Sequence, residues 1–175
     1  MLERYRDLFI KALSNYNNDS KWDGALFGQI KIISNTKVGS VGQDFIILLC
    51  SELGIKYELP KTKSGQDATQ SPWDIKIMNI KFELKTATED IHNHFQFNHI
   101  RYHRTYDALL CLGVSPSSLR FGVWSKADVT TGKAGNLVSM EKNANASYKL
   151  TKDKSGLLPI DTFKDEIKRL VRRIG

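Results

Sequence analysis

The stretch Ser71-Pro72-Trp73-Asp74-Ile75-Lys76-Ile77-Met78-Asn79-Ile80-Lys81-Phe82-Glu83-Leu84-Lys85 contains two short runs of alternating apolar and polar residues, separated by Met78-Asn79. Alternation of this kind reads as strand, and a tight turn at Met78-Asn79 folds the two runs into an antiparallel hairpin. In that register Asp74 stands opposite Glu83. Because successive side chains of a strand point to opposite faces, Glu83 and Lys85 share one face while Phe82 and Leu84 share the other, which can go to the core. A slip of one residue would break up the polar group.

Two carboxylates held close together suit Mg²⁺, which prefers carboxylate oxygen, keeps several waters and can bridge to a substrate phosphate; Mn²⁺ is the expected substitute. Asp74 and Glu83 are therefore the expected metal ligands. Lys85 beside them can stabilise negative charge in a transition state, or help to orient and deprotonate an attacking water. Asp74, Glu83 and Lys85 are together the candidate catalytic residues for metal-assisted phosphodiester hydrolysis, and neither acid needs a place in the core. A surface hairpin with ordinary cross-strand ion pairs carries the same residues, so the neighbouring sequence has to decide.

Upstream, Val38-Gly39-Ser40-Val41-Gly42-Gln43-Asp44-Phe45 leads into an apolar run that ends at Leu53-Gly54, the pattern of a helix stopped by glycine. Helix and hairpin together resemble the PD-(D/E)xK nuclease superfamily, whose signature is an acid at the start of one strand and acid-x-lysine on the next. Here it reads Pro72-Trp73-Asp74, eight intervening residues, then Glu83-Leu84-Lys85, with a Trp inserted between the Pro and the Asp. The resemblance covers about residues 37–129. It implies an α/β fold with a restriction-endonuclease-like core, a mixed β-sheet flanked by helices. It also implies a Mg²⁺-dependent endonuclease acting on double-stranded DNA, most like a small type II restriction enzyme or its cleavage subunit.

In many relatives a Glu near the start of the helix joins the metal site, and the matching residue here is Gln43, which can hold a metal-bound water but brings no charge. Asp44 or Glu52 are the alternatives, although Asp44 is rotated by about 100° from Gln43 around a helix. Gln96, after the hairpin, either supports the metal shell as a Gln does in some relatives or is an exposed helix residue.

Beyond Thr86, the segment from His92 to Arg104 is expected to turn into a helix, from which His99, Arg101, His103 and Arg104 contact DNA backbone or base edges. His92-Asn93-His94 does not make an HNH site, because adjacent residues cannot converge on one metal. His99 and His103, one helical turn apart, lack the Cys partners or H-E-x-x-H pattern of a zinc site. Nor is there a G-x-S-x-G, P-loop or G-x-G-x-x-G string, which weighs against a serine hydrolase, an NTPase and a dinucleotide enzyme.

The rest of the chain frames this centre. Leu2, Tyr5, Leu8, Phe9, Ala12 and Leu13 recur at helical spacing and stop at the polar stretch 15–20. Residues 21–34 read as a short helix or a strand. Residues 55–59 alternate as a strand, 61–70 form a polar loop placed to touch phosphate, and 106–114 and 119–124 are two further strands. From 130 to 151 the chain is polar, rich in Gly, Asn and Ser, and carries Lys133, Lys142 and Lys149: a DNA-contacting flap or a long surface loop. Ile160, Phe163, Ile167, Leu170, Val171 and Ile174 form the stripe of a closing helix whose other face is basic.

At 175 residues one core is expected, a single domain over 1–175 with the polar flap and basic helix after the nuclease core. Lys and Arg number 26 against 19 Asp and Glu, a net charge of +7 that suits a polyanion. Cys50 and Cys111 lie in apolar runs and read as buried, reduced thiols. No apolar run of about 18 residues suggests a membrane span, and the first residues lack the apolar run of a signal peptide, so a cytoplasmic protein is expected. A chain this short leaves target reading to loops on the core, with a homodimer for double-strand cutting, or to a separate recognition subunit. A repair nuclease or junction resolvase, and a catalytically silent nucleic-acid-binding module, are the rival readings.

Overall fold

A computed structural model describes residues 2–14, 19–68, 70–141 and 146–175. The elements in chain order are α1 (Leu2–Ser14), α2 (Asn35–Glu52), β1 (Tyr57–Glu58), β2 (Ile75–Ile77), β3 (Ile80–Thr88), β4 (His94–Ile100), β5 (Ala108–Val114), β6 (Leu119–Ser125), α3 (Lys126–Thr130), β7 (Leu137–Ser139), β8 (Tyr148–Asp153), β9 (Leu158–Pro159) and α4 (Phe163–Ile174). Six strands make a mixed sheet in the order β1-β2-β3-β5-β6-β9, in which β3 and β5 run parallel and the other neighbours antiparallel. This is the expected mixed α/β architecture.

The hairpin forms as the sequence pattern requires. Ile75 pairs with Phe82 and Ile77 with Ile80. Met78 and Asn79 both take left-handed backbone angles, φ 49° and 69°, the signature of the two-residue turn whose twist matches its flanking strands. Ile75, Ile77, Ile80, Phe82 and Leu84 then face one side of the sheet, where they pack with Ile46 and Cys50 of α2 and with Phe163, Ile167 and Leu170 of α4. Gly54, at φ 63°, supplies the left-handed residue that ends α2. Gly42 lets α2 lie directly on β3, since a Cβ there would sit 1.8 Å from Thr86 Oγ1. Both cysteines are buried, free thiols, and burial pushes that of Cys50 up to about 11.

The opposite face of the sheet is covered by a second sheet, which corrects the expected helix at 92–104. His94–Ile100 is strand β4, and it pairs with β8, which pairs with β7, in a three-stranded antiparallel sheet. Phe95, Phe97 and Ile100 are fully buried, and they pack against Leu109 and Cys111 of β5 and Leu150 of β8. The alternation slips at His99, whose left-handed φ of 59° makes a bulge between Phe97 and Ile100 and returns Ile100 to the interior. His99 and His103 therefore do not share a helix face: His99 is on the strand, and His103 is exposed in the turn beyond it.

The stretch 130–151 is likewise not only a loop, since it contributes β7 and the start of β8 to the same sheet; Lys142 lies outside the described residues. Residues 21–34 are neither long helix nor strand but short 3₁₀ turns, Ser20–Trp22 and Gly28–Lys31. They are tied to the end of β3, with Trp22 Nε1 donating to the Glu89 carbonyl (3.3 Å) and Lys21 pairing with the Glu89 carboxylate (3.2 Å). Helix α1 forms as expected, yet Tyr5, Leu8 and Phe9 of its apolar stripe are exposed; residues 15–18 of the expected break, and the side chains of Leu2 and Leu13, lie outside the description. Among the described residues no helix is long and apolar enough to cross a membrane.

Candidate active site

Asp74 sits one residue before β2, where the β2–β3 ladder runs out. Its own N–H still donates to the Phe82 carbonyl (2.8 Å), which holds it opposite Glu83. Its Oδ2 accepts the Leu84 N–H at 2.7 Å, satisfying a backbone donor of β3 that has run past its partner strand. One carboxylate oxygen is thereby fixed to the sheet, and the orientation of the other follows from it.

Glu83 and Lys85 emerge from β3 on the face roofed by the second sheet. Contrary to the expectation for a surface hairpin, the Glu83 residue is only 3% exposed. Its Oε1 pairs with Lys85 Nζ at 3.0 Å, and its Oε2 lies 3.5 Å from the Arg101 N–H, a long contact from the residue that follows β4. The Tyr106 hydroxyl is buried beside this carboxylate with no hydrogen bond of normal geometry. Burial first, and then the Glu83 charge, raise the Tyr106 phenol well above its ordinary range.

The sequence-designated residues divide between two clefts. Gln43 of α2, Asp74 and Arg104 line one of about 600 Å³, together with Pro72 and Trp73. Arg104 Nη1 donates to the Ser71 carbonyl (3.4 Å), so it closes one wall. Lys85, Gln96 and His99 line the second, of about 470 Å³, with Asp90 and Gly39. Gln96 Nε2 donates to Asp90 Oδ2 at 2.9 Å, which orients its amide on the exposed face of β4, not on a helix. Burial tends to raise the Asp90 carboxyl, but hydrogen bonds from the His94 N–H, the Gln96 amide and the His92 N–H outweigh it and hold it below the usual carboxylate range. Asp44 is exposed on α2 and Glu52 is exposed at its end; neither lines either cleft.

Asp74 and Glu83 are the carboxylates that could hold a divalent ion here. The donor set is hard oxygen, as Mg²⁺ prefers, and the Leu84 N–H occupies only one of the two Asp74 carboxylate oxygens. Among the described residues no three His, Cys, Asp or Glu side chains converge on one point, so such an ion would keep several waters. Tyr106, Asp90, Ser147 and Glu141, which border or support the site, were not singled out from sequence. Tyr106 lies just ahead of an apolar strand and reads there as core.

No family model matches this chain, and no curated protein does. Among solved structures it is similar to a bacterial homing endonuclease, I-Ssp6803I, at 14% identity and a TM-score of 0.41, over 55% of this chain and 72% of that one.

Proposed function

We propose that this protein is a Mg²⁺-dependent endonuclease that hydrolyses phosphodiester bonds of double-stranded DNA, of the type II restriction kind or the cleavage subunit of such an enzyme. The observation that supports the reading is the Glu83–Lys85 pair at 3.0 Å, half-roofed by a second sheet, with the Asp74 backbone held across the ladder from Glu83 where β2 and β3 part. Asp74 and Glu83 would hold the ion, which supplies a Lewis acid for the phosphoryl oxygens. Gln43 and Gln96 border the clefts on either side as uncharged supports.

Lys85 has a fixed ammonium because Glu83 anchors it at 3.0 Å and the lysine side chain is only 21% exposed. A charge held in place where water is scarce stabilises developing negative charge without reorganising, which is the condition for lowering a barrier rather than merely tightening binding. Arg101 and Arg104, just beyond β4, bring positive charge to the same region and serve backbone phosphates, while His103 on that turn is free to meet the duplex. Double-strand cutting then calls for two copies of this chain or for a second subunit that reads the sequence.

Incubating the purified protein with mixed genomic DNA and Mg²⁺ and sequencing the fragment ends tests this reading. Breaks at a fixed sequence support it. Breaks confined to branched or damaged DNA would assign the site to repair or junction cleavage, and intact DNA with retained binding would leave a silent DNA-binding module.

A further inference from the structure

His99 is held in a way that no strand residue requires. Its backbone is left-handed, its N–H meets the Met140 sulfur at 3.4 Å, and its Nδ1 lies 3.2 Å from Ser147 Oγ. Ser147 is fully buried, and its hydroxyl donates to Glu141 Oε1 at 3.0 Å. A serine has one proton to give, and it is committed to Glu141; toward His99 the same oxygen can only accept. Nδ1 therefore carries a hydrogen, and in the neutral form of the ring Nε2 is left bare to accept. The residue lines the cleft that contains Lys85.

From this geometry we infer that His99 is the proton acceptor for the attacking water in the DNA cleavage proposed above, with Ser147 and Glu141 as positioning residues; the inference rests on that reading. The water oxygen forms a bond to phosphorus, one P–O ester bond breaks, the water proton passes to His99 Nε2, and the departing oxygen takes a proton from solvent. The imidazolium that results is stabilised through Nδ1–H and Ser147 by the Glu141 carboxylate, the arrangement that orients a general base in other hydrolases. The other charged groups lining its cleft are Lys85 of β3 and Asp90 of the β3–β4 turn. Left-handed backbone is disfavoured at a residue that is not glycine, and such positions gather where a side chain has to be aimed.

The test pairs a structural readout with a kinetic one. Nitrogen-15 spectra of histidine-labelled free protein are expected to show His99 protonated on Nδ1, and Ser147→Ala is expected to release the ring to the Nε2–H form that free imidazoles favour. In single-turnover cleavage with Mg²⁺, His99→Gln should slow the reaction by about 100-fold and weaken duplex binding by far less. An Nε2–H tautomer in the wild type, an unchanged rate in His99→Gln, or a rate loss matched by an equal loss of affinity would each overturn the assignment. A wild-type protein that binds DNA but cleaves none would instead defeat the nuclease reading itself, and the role of His99 with it.

Discussion

Replacing Asp74 separates its structural duty from its chemical one. Oδ2 accepts the Leu84 N–H at 2.7 Å, and Leu84 is 9% exposed, so water cannot readily take over that bond. Asp74→Asn keeps a carbonyl oxygen in the same place and exchanges a charge-assisted hydrogen bond for a neutral one, a difference of about 1 kcal/mol. Asp74→Ala leaves the N–H without a partner, which costs about 1–3 kcal/mol. For a chain of this length each kcal/mol lowers Tm by about 2–4 °C, so Asn is expected to melt a few degrees below wild type and Ala lower still. Cleavage should be lost in both, because both remove the negative charge, while duplex affinity in Ca²⁺ should survive in both. Urea unfolding followed by tryptophan fluorescence, with a cleavage assay on the same samples, reads both effects. Equal stability of the two variants would refute the role given to Oδ2, and cleavage by Asp74→Asn would refute the role given to the charge.

A methyl group at Gly42 would meet Thr86 Oγ1 at 1.8 Å and its Cβ at 2.8 Å, so Gly42→Ala should push α2 from β3 at a cost of about 1–3 kcal/mol; an unchanged urea midpoint would show that the helix–strand contact is looser than described. The buried Glu89 carboxyl is raised by burial but lowered by more through Ser115, Lys154 and Lys21, so its folded value lies below 4.5. A depressed folded value contributes stability above the unfolded one that is lost as pH falls through the folded one, and Glu89→Gln should flatten the loss of stability below about pH 4.5; an equally steep acid limb in that variant would contradict the assignment. Log K for duplex binding should fall with log salt by about 0.9 per phosphate contacted. Neutralising Arg101 and Arg104 should flatten that slope by about one unit per lost contact, and if only the pair Arg172 and Arg173 flattens it, the basic face of α4 is the DNA surface.

What the sequence disclosed follows from how local each feature is. The hairpin was legible because alternation, the Met78-Asn79 turn and the opposition of Asp74 and Glu83 all lie within fifteen residues, and α2 was legible because its apolar run ends at a glycine. Strand β4 was not. Its outward positions are His, Gln and Asn, residues with little strand preference, and the left-handed His99 breaks the alternation that would have revealed it. β8 is largely polar and pairs with β4 at long range, while the three-residue β7 adds to its other edge, and no window of sequence displays the β4–β8 pairing. The burial of Glu83 has the same origin: the hairpin shows which face the side chain takes, and only the second sheet decides that this face is covered. That roof also turns Lys85 from one charge of a surface hairpin into an anchored cation, and puts His99 on the same cleft.

Cleavage of duplex DNA by the wild-type protein in Mg²⁺, Mn²⁺, Ca²⁺ and chelator, alongside Lys85→Ala, tests the account at its centre. Mg²⁺ and Mn²⁺ should support cutting, Ca²⁺ should support binding with little cutting because its bonds are longer and its geometry looser, and Lys85→Ala should lower the rate far more than the affinity. Full cleavage in chelator, or a Lys85→Ala variant that loses affinity and rate in equal measure, would contradict it.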